Sequence, residues 1–233
     1  MDERLNPKPR EIKFGGEKAE SIKLGFAITT LRNPKPDYDF SRGEKILADC
    51  YDDGEKVPVT VITNEIQQLK NFSIPQLALD GFFSVRMAAD IMKSYRGYEK
   101  TNKNSIMQAI TFVKEESFNA LSQDMKDEII YGHFDELVRI PALRPLFFST
   151  MCLHFSNYGG AKEWIEFLGI NKLISGEEKL KMENYEIGGR NISELLENHT
   201  NIFQKLAIDT KASFFRPMIL GLFDEPTEVT PKG

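Results

Sequence analysis

Strand-forming patterns fill the first half of this sequence and stop at Lys114. The clearest is a hairpin in which residues 45–51 and 57–63 are separated by the turn residues Asp53 and Gly54. In the first strand, apolar side chains recur at every second position and therefore share one face. This pattern predicts a β-structured first half with one apolar face.

Other elements of the first half follow from residue preferences. Three further strands are predicted, at residues 11–14, 26–32 and 105–113. Two helices are predicted, over residues 17–24, where Gly25 occupies the position that a C-cap prefers, and over residues 84–96. We expect residues 69–79, around Pro75, to be irregular. Residues 10–114 are therefore predicted to form a small α+β or β-barrel unit with about five strands.

The pattern after Lys114 is helical. Residues 115–139 are amphipathic, and residues 146–156 are apolar nearly all round, which is typical of a buried helix. Further helices are predicted over residues 161–168 and 193–215, with a polar loop and a short helix over 175–189. The fold class is therefore α+β: a small β-barrel with flanking helices, followed by an all-helical region over 115–223. Residues 1–9 and 224–233 are expected to be flexible.

Composition limits the function classes. The 233 residues include 30 basic and 35 acidic side chains, a net charge of −5, which argues against coating nucleic acid by bulk electrostatics but leaves a local basic site open. Two cysteines, Cys50 and Cys152, cannot form a disulfide framework, so we expect a reducing, cytoplasmic location. No run approaches the length of a membrane span, and the first residues lack the apolar core of a signal peptide, so no membrane association is expected.

A local basic site is present after the second predicted helix begins. Between residues 84 and 105, five basic side chains outnumber two acidic ones, a local charge of +3: Arg86, Lys93, Arg96, Lys100 and Lys103 against Asp90 and Glu99. Tyr95 and Tyr98 lie among them, and basic residues near aromatics suit single-stranded nucleic acid through phosphate contacts and base stacking. The alternative is a solvated helix face and linker with both tyrosines packed on the barrel. The loop cations Lys35 and Arg42, together with Arg32, extend the basic patch if the loop folds nearby.

Several short strings along residues 10–114 resemble one known family in their order and spacing. They are Ile12-Lys13-Phe14, Glu20 to Gly25, Phe26-Ala27-Ile28-Thr29-Thr30-Leu31-Arg32, Ser41 to Leu47, Leu79-Asp80-Gly81-Phe82 and Met107 to Val113. Together they resemble the ASCH domain, a member of the PUA-like barrels. Residues 115–233 resemble no family that we can name.

The resemblance implies a cleft on a small barrel that accepts RNA or a nucleoside. Some family members are amidohydrolases that act on an acylated cytidine and rely on a lysine, a threonine and a carboxylate. The threonine position falls on Thr30, the family arginine on Arg32 and the carboxylate on Asp80. The lysine position falls on Ala27, which has no ionisable group and cannot act as a base or activate a nucleophile. The resemblance therefore favours binding without catalysis.

The leading hypothesis is a non-catalytic protein that binds RNA or another single-stranded nucleic acid. Thr30 and Arg32 are two residues apart and face the same side of a strand. With Asp80 they would hold a nucleotide in the cleft. The flanking phosphates would be held by basic side chains of the later segment: Lys93, Arg96 and Lys100. The helical half would support the barrel or recruit a protein partner. The alternative role for Arg32 is an ion pair with an aspartate of the next loop: Asp37 or Asp39.

Two other functions stay open. The acidic composition and an aromatic-rich second half suit a structural or protein-interaction protein of viral or phage type, although such aromatics more often form a helical core. A nucleoside amidohydrolase with a displaced base is the third. The three histidines lack the spacing of a metal site, so no metal or cofactor is predicted: His133, His154 and His199. His154 and both cysteines are predicted to be core residues.

Overall fold

The fold is taken from a computed structural model. It describes residues 10–51, 54–140, 143–155, 161–184, 186–187 and 190–191. The chain divides into two compact units, the first ending at Leu137 and the second beginning at Val138. The first unit thus holds the residues predicted to form the barrel together with the start of the predicted helical region.

The first unit is built on a curled, five-stranded mixed sheet that forms a half-barrel. Its strands are β1 (Glu11–Phe14), β2 (Ile28–Arg32), β3 (Lys45–Cys50), β4 (Glu55–Gln68) and β5 (Ile106–Lys114). The spatial order is β1-β3-β4-β5-β2, in which β1 runs parallel to β3 and the other pairs are antiparallel. The α+β class is confirmed, and β1 and β2 are the two edges of the sheet.

Strand β4 is longer than the sequence indicates. The prediction ends at Thr63, because the following residues 64–68 are mostly polar. In the structure they continue the ladder with β5, where Ile66 lies opposite Gln108. A register shift between Val61 and Thr63 marks a bulge, which bends a strand locally. Cross-strand pairing therefore overrides the weak local preference of these polar residues.

The two faces of the sheet bury separate cores. All five strands contribute to the first, together with Phe40 from the loop after β2 and with Ala19 and Ile22 from helix α1 (Gly16–Lys23). This core also buries Cys50, as predicted. The second core lies between the other face and two helices, α2 (Ile74–Ala78) and α3 (Val85–Met92).

Helix α1 ends where the sequence indicates. Gly25 has φ +89°, a conformation that glycine adopts without steric cost. The N–H of Gly25 donates to Ile22 O (2.9 Å) and the N–H of Phe26 donates to Ser21 O (3.0 Å), the hydrogen bonds of a Schellman cap. A side chain at Gly25 would also place Cβ 2.5 Å from Ser117 Oγ. Local chemistry and packing therefore agree at this position.

The prediction that residues 69–79 are irregular is wrong. Residues 69–71 form a 3-10 turn, and helix α2 follows, with the Ser73 hydroxyl accepting from the N–H of Gln76 at its N-terminus. Pro75 lies in the first turn, where its missing N–H has no helical partner to lose. Helix α3 is shorter than predicted and ends before Lys93.

The amphipathic stretch after the barrel forms three short helices of the first unit. They are α4 (Glu115–Asn119), α5 (Gln123–Tyr131) and α6 (Phe134–Leu137). The Ser122 hydroxyl accepts from the N–H of Met125 at the start of α5, and Gly132 follows its end. Helix α4 packs against β4 and β5, so part of the predicted helical region covers the sheet.

The second unit contains α7 (Arg144–Phe155), α8 (Ala161–Ile170), α9 (Gly176–Glu183) and a two-residue antiparallel ladder of β6 (Glu186–Ile187) and β7 (Arg190–Asn191). The region predicted to be all-helical therefore also includes a small ladder. Phe147 and Phe148 are buried, and so is His154, as predicted. The predicted helix over 193–215, the predicted flexible residues 1–9 and 224–233, and His199 lie outside the described residues, as does the side chain of Cys152. None of the described helices is long and apolar enough to cross a membrane.

Candidate nucleic-acid interface

Arg32 joins the two edges of the half-barrel. It is the last residue of β2, and its guanidinium donates to the carbonyl oxygen of Lys13 in β1 (2.7 Å). It also donates to the Tyr38 hydroxyl (3.1 Å) and to Thr30 Oγ1 (3.2 Å). The guanidinium lies 5.2 Å from the Tyr38 ring centroid and 5.6 Å from that of Phe14. Arg32 therefore closes the gap between edge strands and makes neither of the aspartate pairs that the sequence suggested.

Thr30 lies beneath the Arg32 side chain that bridges β2 and β1. It is 4% exposed and pairs in register with Ile110 of β5. The hydrogen bond from Arg32 confirms that Thr30 and Arg32 share a face of β2. A bound molecule would have to displace packed side chains to reach the Thr30 hydroxyl.

Asp80 is bound on both carboxylate oxygens. Oδ2 accepts from the N–H of Leu31 (2.7 Å), and Oδ1 forms an ion pair with Lys18 Nζ. The neighbouring Leu79 carbonyl accepts from the N–H of Thr29 (3.2 Å). The turn that carries Asp80 therefore supplies hydrogen-bond acceptors to the outer edge of β2, and the carboxylate side chain is only 2% exposed.

Lys18 is a contact of Asp80 that sequence reasoning missed. It lies in α1, 62 residues before Asp80, and nothing local to either residue indicates the pairing. Ala27, on which the resemblance would place a lysine, is fully buried. Lys18 is thus a lysine that approaches the predicted carboxylate from a different element.

The acidic residues of the basic stretch are engaged locally. Asp90 lies 3.7 Å from Arg86 and 3.1 Å from Lys93, both exposed pairs on α3. Glu99 accepts from the N–H of Gly97 (2.9 Å), and this hydrogen bond lowers the pKa of the Glu99 carboxyl. The predicted phosphate ligand Lys93 therefore already has a partner.

Three later cations of this stretch are available to a ligand. Arg96, Lys100 and Lys103 are exposed and form no ion pair with any residue that the structure describes. Tyr95 is 53% exposed beside them. We call residues 93–103 the basic segment.

The loop after β2 is held against the basic segment. The N–H of Asn33 donates to the Tyr98 hydroxyl (3.1 Å), and Asn33 Nδ2 donates to the Gly97 carbonyl (3.3 Å). Lys35, two residues further on, is exposed with its ammonium 5.8 Å from the Tyr38 ring centroid. Arg42 is directed elsewhere, to the Gly132 carbonyl (2.6 Å) and towards Glu65 (3.6 Å). Of the two loop cations that the sequence proposed for the patch, only Lys35 lies beside the residues that contact the basic segment.

An open groove lies beneath this loop. It encloses about 420 Å³ and is lined by Pro34, Lys35, Pro36, Asp39, Phe40, Asn64, Ile66 and Gln108. Asn64, Ile66 and Gln108, from β4 and β5, form the floor of the groove. The loop after β2 forms its wall. Sequence reasoning missed the floor residues, because the polar end of β4 was not predicted to be a strand.

Two side-chain amides fix the wall to the floor. Gln108 Nε2 donates to the Tyr38 carbonyl (2.9 Å) and to Asn64 Oδ1 (2.8 Å). Asn64 Nδ2 donates to the carbonyl oxygens of Tyr38 and Phe40, both at 2.9 Å. Because these bonds hold the loop from inside the protein, the groove is formed before any ligand binds.

The described residues contain no group of three His, Cys, Asp or Glu side chains arranged to hold a metal ion. The resemblance to the ASCH domain stays a prediction. Comparisons with protein-family models, with curated proteins and with solved structures found no match.

Proposed function

We propose that the first unit binds single-stranded RNA or another single-stranded nucleic acid, without a chemical step, on the groove and the basic segment together. One observation carries the proposal: Asn33 bonds to both Tyr98 and Gly97, which joins the groove loop to the basic segment. Residues 33–35 and 93–103 are far apart in sequence, yet they form adjoining parts of one surface.

The charges of this surface suit a phosphate backbone. Lys35, Arg96, Lys100 and Lys103 are exposed and have no ion-pair partner among the described residues. Phosphate contacts from three of these cations, Arg96, Lys100 and Lys103, give a single-strand salt slope of roughly −2 in log affinity against log salt. This modest slope fits a chain of net charge −5, whose remaining surface repels nucleic acid.

Apolar side chains on the same unit suit unpaired bases. Tyr95, Ile66 and Ile106 are each more than half exposed, at 53%, 59% and 51%. Ile66 lines the groove, and stacking on an aromatic ring contributes about 1–3 kcal/mol per base. Bases in a duplex cannot reach these side chains, so single strands should bind more tightly than double strands.

Thr30, Arg32 and Asp80 have a different part in this proposal. Their hydrogen bonds go to other groups of the protein, so they hold the half-barrel in shape rather than contact the ligand. The sequence placed a nucleotide on these three residues. The proposal moves it to the groove that the loop after β2 forms with β4 and β5.

Fluorescence anisotropy with labelled single- and double-stranded RNA and DNA across a salt series tests the proposal. The site variant is Arg96→Gln/Lys100→Gln. The matched control is Lys45→Gln/Lys56→Gln, which removes the same charge from the hairpin at the other end of β4.

The site variant should weaken single-strand binding about tenfold and make the salt slope shallower by about 1.4. The control should change affinity less than twofold. Equal weakening in both variants would show bulk electrostatics rather than a site, and no single-strand binding by the wild type at low salt would refute the function.

A second candidate function has one observation in its favour. Lys18 contacts Asp80, so a lysine and a carboxylate meet although the family lysine position is Ala27. A substrate would have to separate this pair, because the carboxylate is 2% exposed. Turnover of an acylated cytidine that is lost in both Lys18→Met and Thr30→Ala, with folding retained, would establish an amidohydrolase.

A further inference from the structure

The groove offers an unequal set of hydrogen-bonding groups. Both amide hydrogens of Gln108 and both of Asn64 already bond inside the protein. The Asn64 amide oxygen retains accepting capacity, since an amide oxygen has two lone pairs and this one accepts one hydrogen bond, whereas Gln108 is buried at 1% exposure. Among the lining side chains, Lys35 is the remaining donor. The groove therefore presents mainly acceptors.

Asp39 adds a charged acceptor at the edge of the groove. Its side chain is exposed and makes no hydrogen bond or ion pair with any described residue. Its backbone is held in place, because the Arg10 guanidinium donates to the Asp39 carbonyl (2.9 Å). The carboxylate therefore extends from a fixed backbone at the edge of the groove and is available to a ligand with two donors, which a carboxylate accepts side by side.

Guanine matches this set among the nucleobases. Its Watson–Crick edge carries two adjacent donors, N1–H and the 2-amino group, beside the acceptor O6. Adenine and cytosine place one amino group beside an acceptor nitrogen, and uracil has a single donor between two acceptors. A carboxylate pairs with the two adjacent donors, and a lysine ammonium suits O6.

We propose that the groove holds one guanine base of the bound strand, with N1–H and the 2-amino group on Asp39 and O6 on Lys35. This deepens the proposed function and rests on it. Pro34, Pro36 and Ile66 provide apolar surface for the faces of the base. The volume of about 420 Å³ lies within the range of about 300–1,000 Å³ that is usual for small-molecule sites.

The test uses a single-stranded oligouridine of eight nucleotides with one central position varied among guanine, hypoxanthine, adenine, cytosine and uracil. Hypoxanthine differs from guanine only by the missing 2-amino group. The full-length protein should bind the guanine oligomer at least tenfold more tightly than the uracil oligomer, and hypoxanthine should lose most of that gain.

Asp39→Asn is the matched variant, since an amide nitrogen opposes the guanine donors. It should reduce the guanine-to-hypoxanthine ratio to near one while binding of the all-uracil strand stays within twofold. Asp37→Asn, in the same loop but outside the groove lining, should keep the wild-type ratio.

The outcomes separate the two proposals. Equal binding of all five oligomers would overturn the guanine site and leave single-strand binding intact. Failure of every oligomer to bind would refute the proposed function, and calorimetric titration with GMP and IMP would then decide the groove alone. Tighter binding of GMP would retain the guanine site, and equal or absent binding of the two would overturn it.

Discussion

Charged residues in two regions of the first unit have opposite surroundings. In the first region, which we call the seam, Arg32 and Asp80 bond to backbone groups of the edge strands, and Lys18 forms an ion pair with Asp80. In the second, the groove and basic segment, Lys35 and Asp39 are exposed without ion-pair partners among the described residues. The seam residues lie beside strand edges, whose backbone groups need partners, whereas the second region lies on loops. A charge beside a strand edge is therefore a poorer indication of a ligand than a charge on a fixed loop.

Breaking the seam at Asp80 should give the largest effect. Asp80→Ala leaves the buried Leu31 N–H and the part-buried Lys18 without their acceptor, and loss of a charged acceptor from a buried donor costs about 3 kcal/mol in unfolding free energy. Urea denaturation measures this. Asp37→Ala, at an exposed loop position, should change stability by less than about 0.5 kcal/mol. Equal midpoints for the two variants would show that the seam does not stabilise the fold.

Substitution of Arg32, the other strand contact of the seam, should reduce the stability nearly as much. Arg32→Ala removes hydrogen bonds to Lys13, Tyr38 and Thr30, and we expect a loss of about 2 kcal/mol in unfolding free energy. Arg32→Lys keeps the charge but lacks the several N–H donors of the planar guanidinium, so it should recover less than half of the lost unfolding free energy. At a temperature where the variants remain folded, RNA affinity should change less than twofold. A tenfold loss of affinity would instead place Arg32 in the binding site, as the sequence suggested.

Substitutions in the groove and basic segment should change the affinity for RNA rather than the stability of the fold. Tyr95→Ala removes an exposed ring beside the basic segment and should weaken single-stranded RNA binding by about 1–2 kcal/mol, measured by anisotropy. Unfolding free energy should change by less than about 0.5 kcal/mol. Tyr51→Ala is the matched control, because Tyr51 is 64% exposed at the hairpin end of the sheet. Similar losses in both variants would remove the distinction between the two regions.

An ion pair in the second unit, between Arg144 and Glu178, extends the comparison to the pH dependence of stability. Glu178 is partly buried, which raises the pKa of its carboxyl, but the Ser175 N–H (2.7 Å) and Arg144 (2.5 Å) outweigh this and hold the pKa below its usual value. A lowered folded-state pKa adds stability that is present above the unfolded-state pKa and is lost as pH falls through the folded-state value.

Wild-type stability should therefore fall from about pH 5 downward, and Glu178→Gln should remove part of that fall, below about 1 kcal/mol. Chemical denaturation at pH 6 and at pH 3.5 measures the difference. Glu166→Gln, from an exposed position of α8, controls for loss of one negative charge. An unchanged pH dependence in Glu178→Gln would mean that the pair with Arg144 adds no stability.

Local patterns were sufficient for most elements of the half-barrel. The strand at Glu11–Phe14, the strands around the hairpin and the helix end at Gly25 all depend on neighbouring residues. The same reasoning failed where local and tertiary preferences differ. The polar end of β4 forms a strand because β5 lies beside it. The prediction around Pro75 failed for a local reason, because proline is compatible with the first turn of a helix that Ser73 caps.

The candidate site was only partly predictable. The basic segment and Lys35 could be named from charge and aromatic spacing, but not the contact of Asn33 with Tyr98 that joins them. Asn64 and Gln108 are separated by 44 residues and meet only because β4 and β5 pair. A pattern of neighbouring residues cannot indicate a contact between residues so far apart in the sequence.

By itself, the sequence determined the hydrophobic periodicity, the turns and the helix caps, and hence an α+β chain whose five-stranded sheet ends at Lys114. These properties depend on neighbours along the chain, which are the same in any fold. Only the tertiary structure decided which charges are used internally and which face a ligand. That choice follows from the sheet order, because curling brings β1 and β2 close enough for Arg32 to span them and leaves the loop after β2 above β4 and β5.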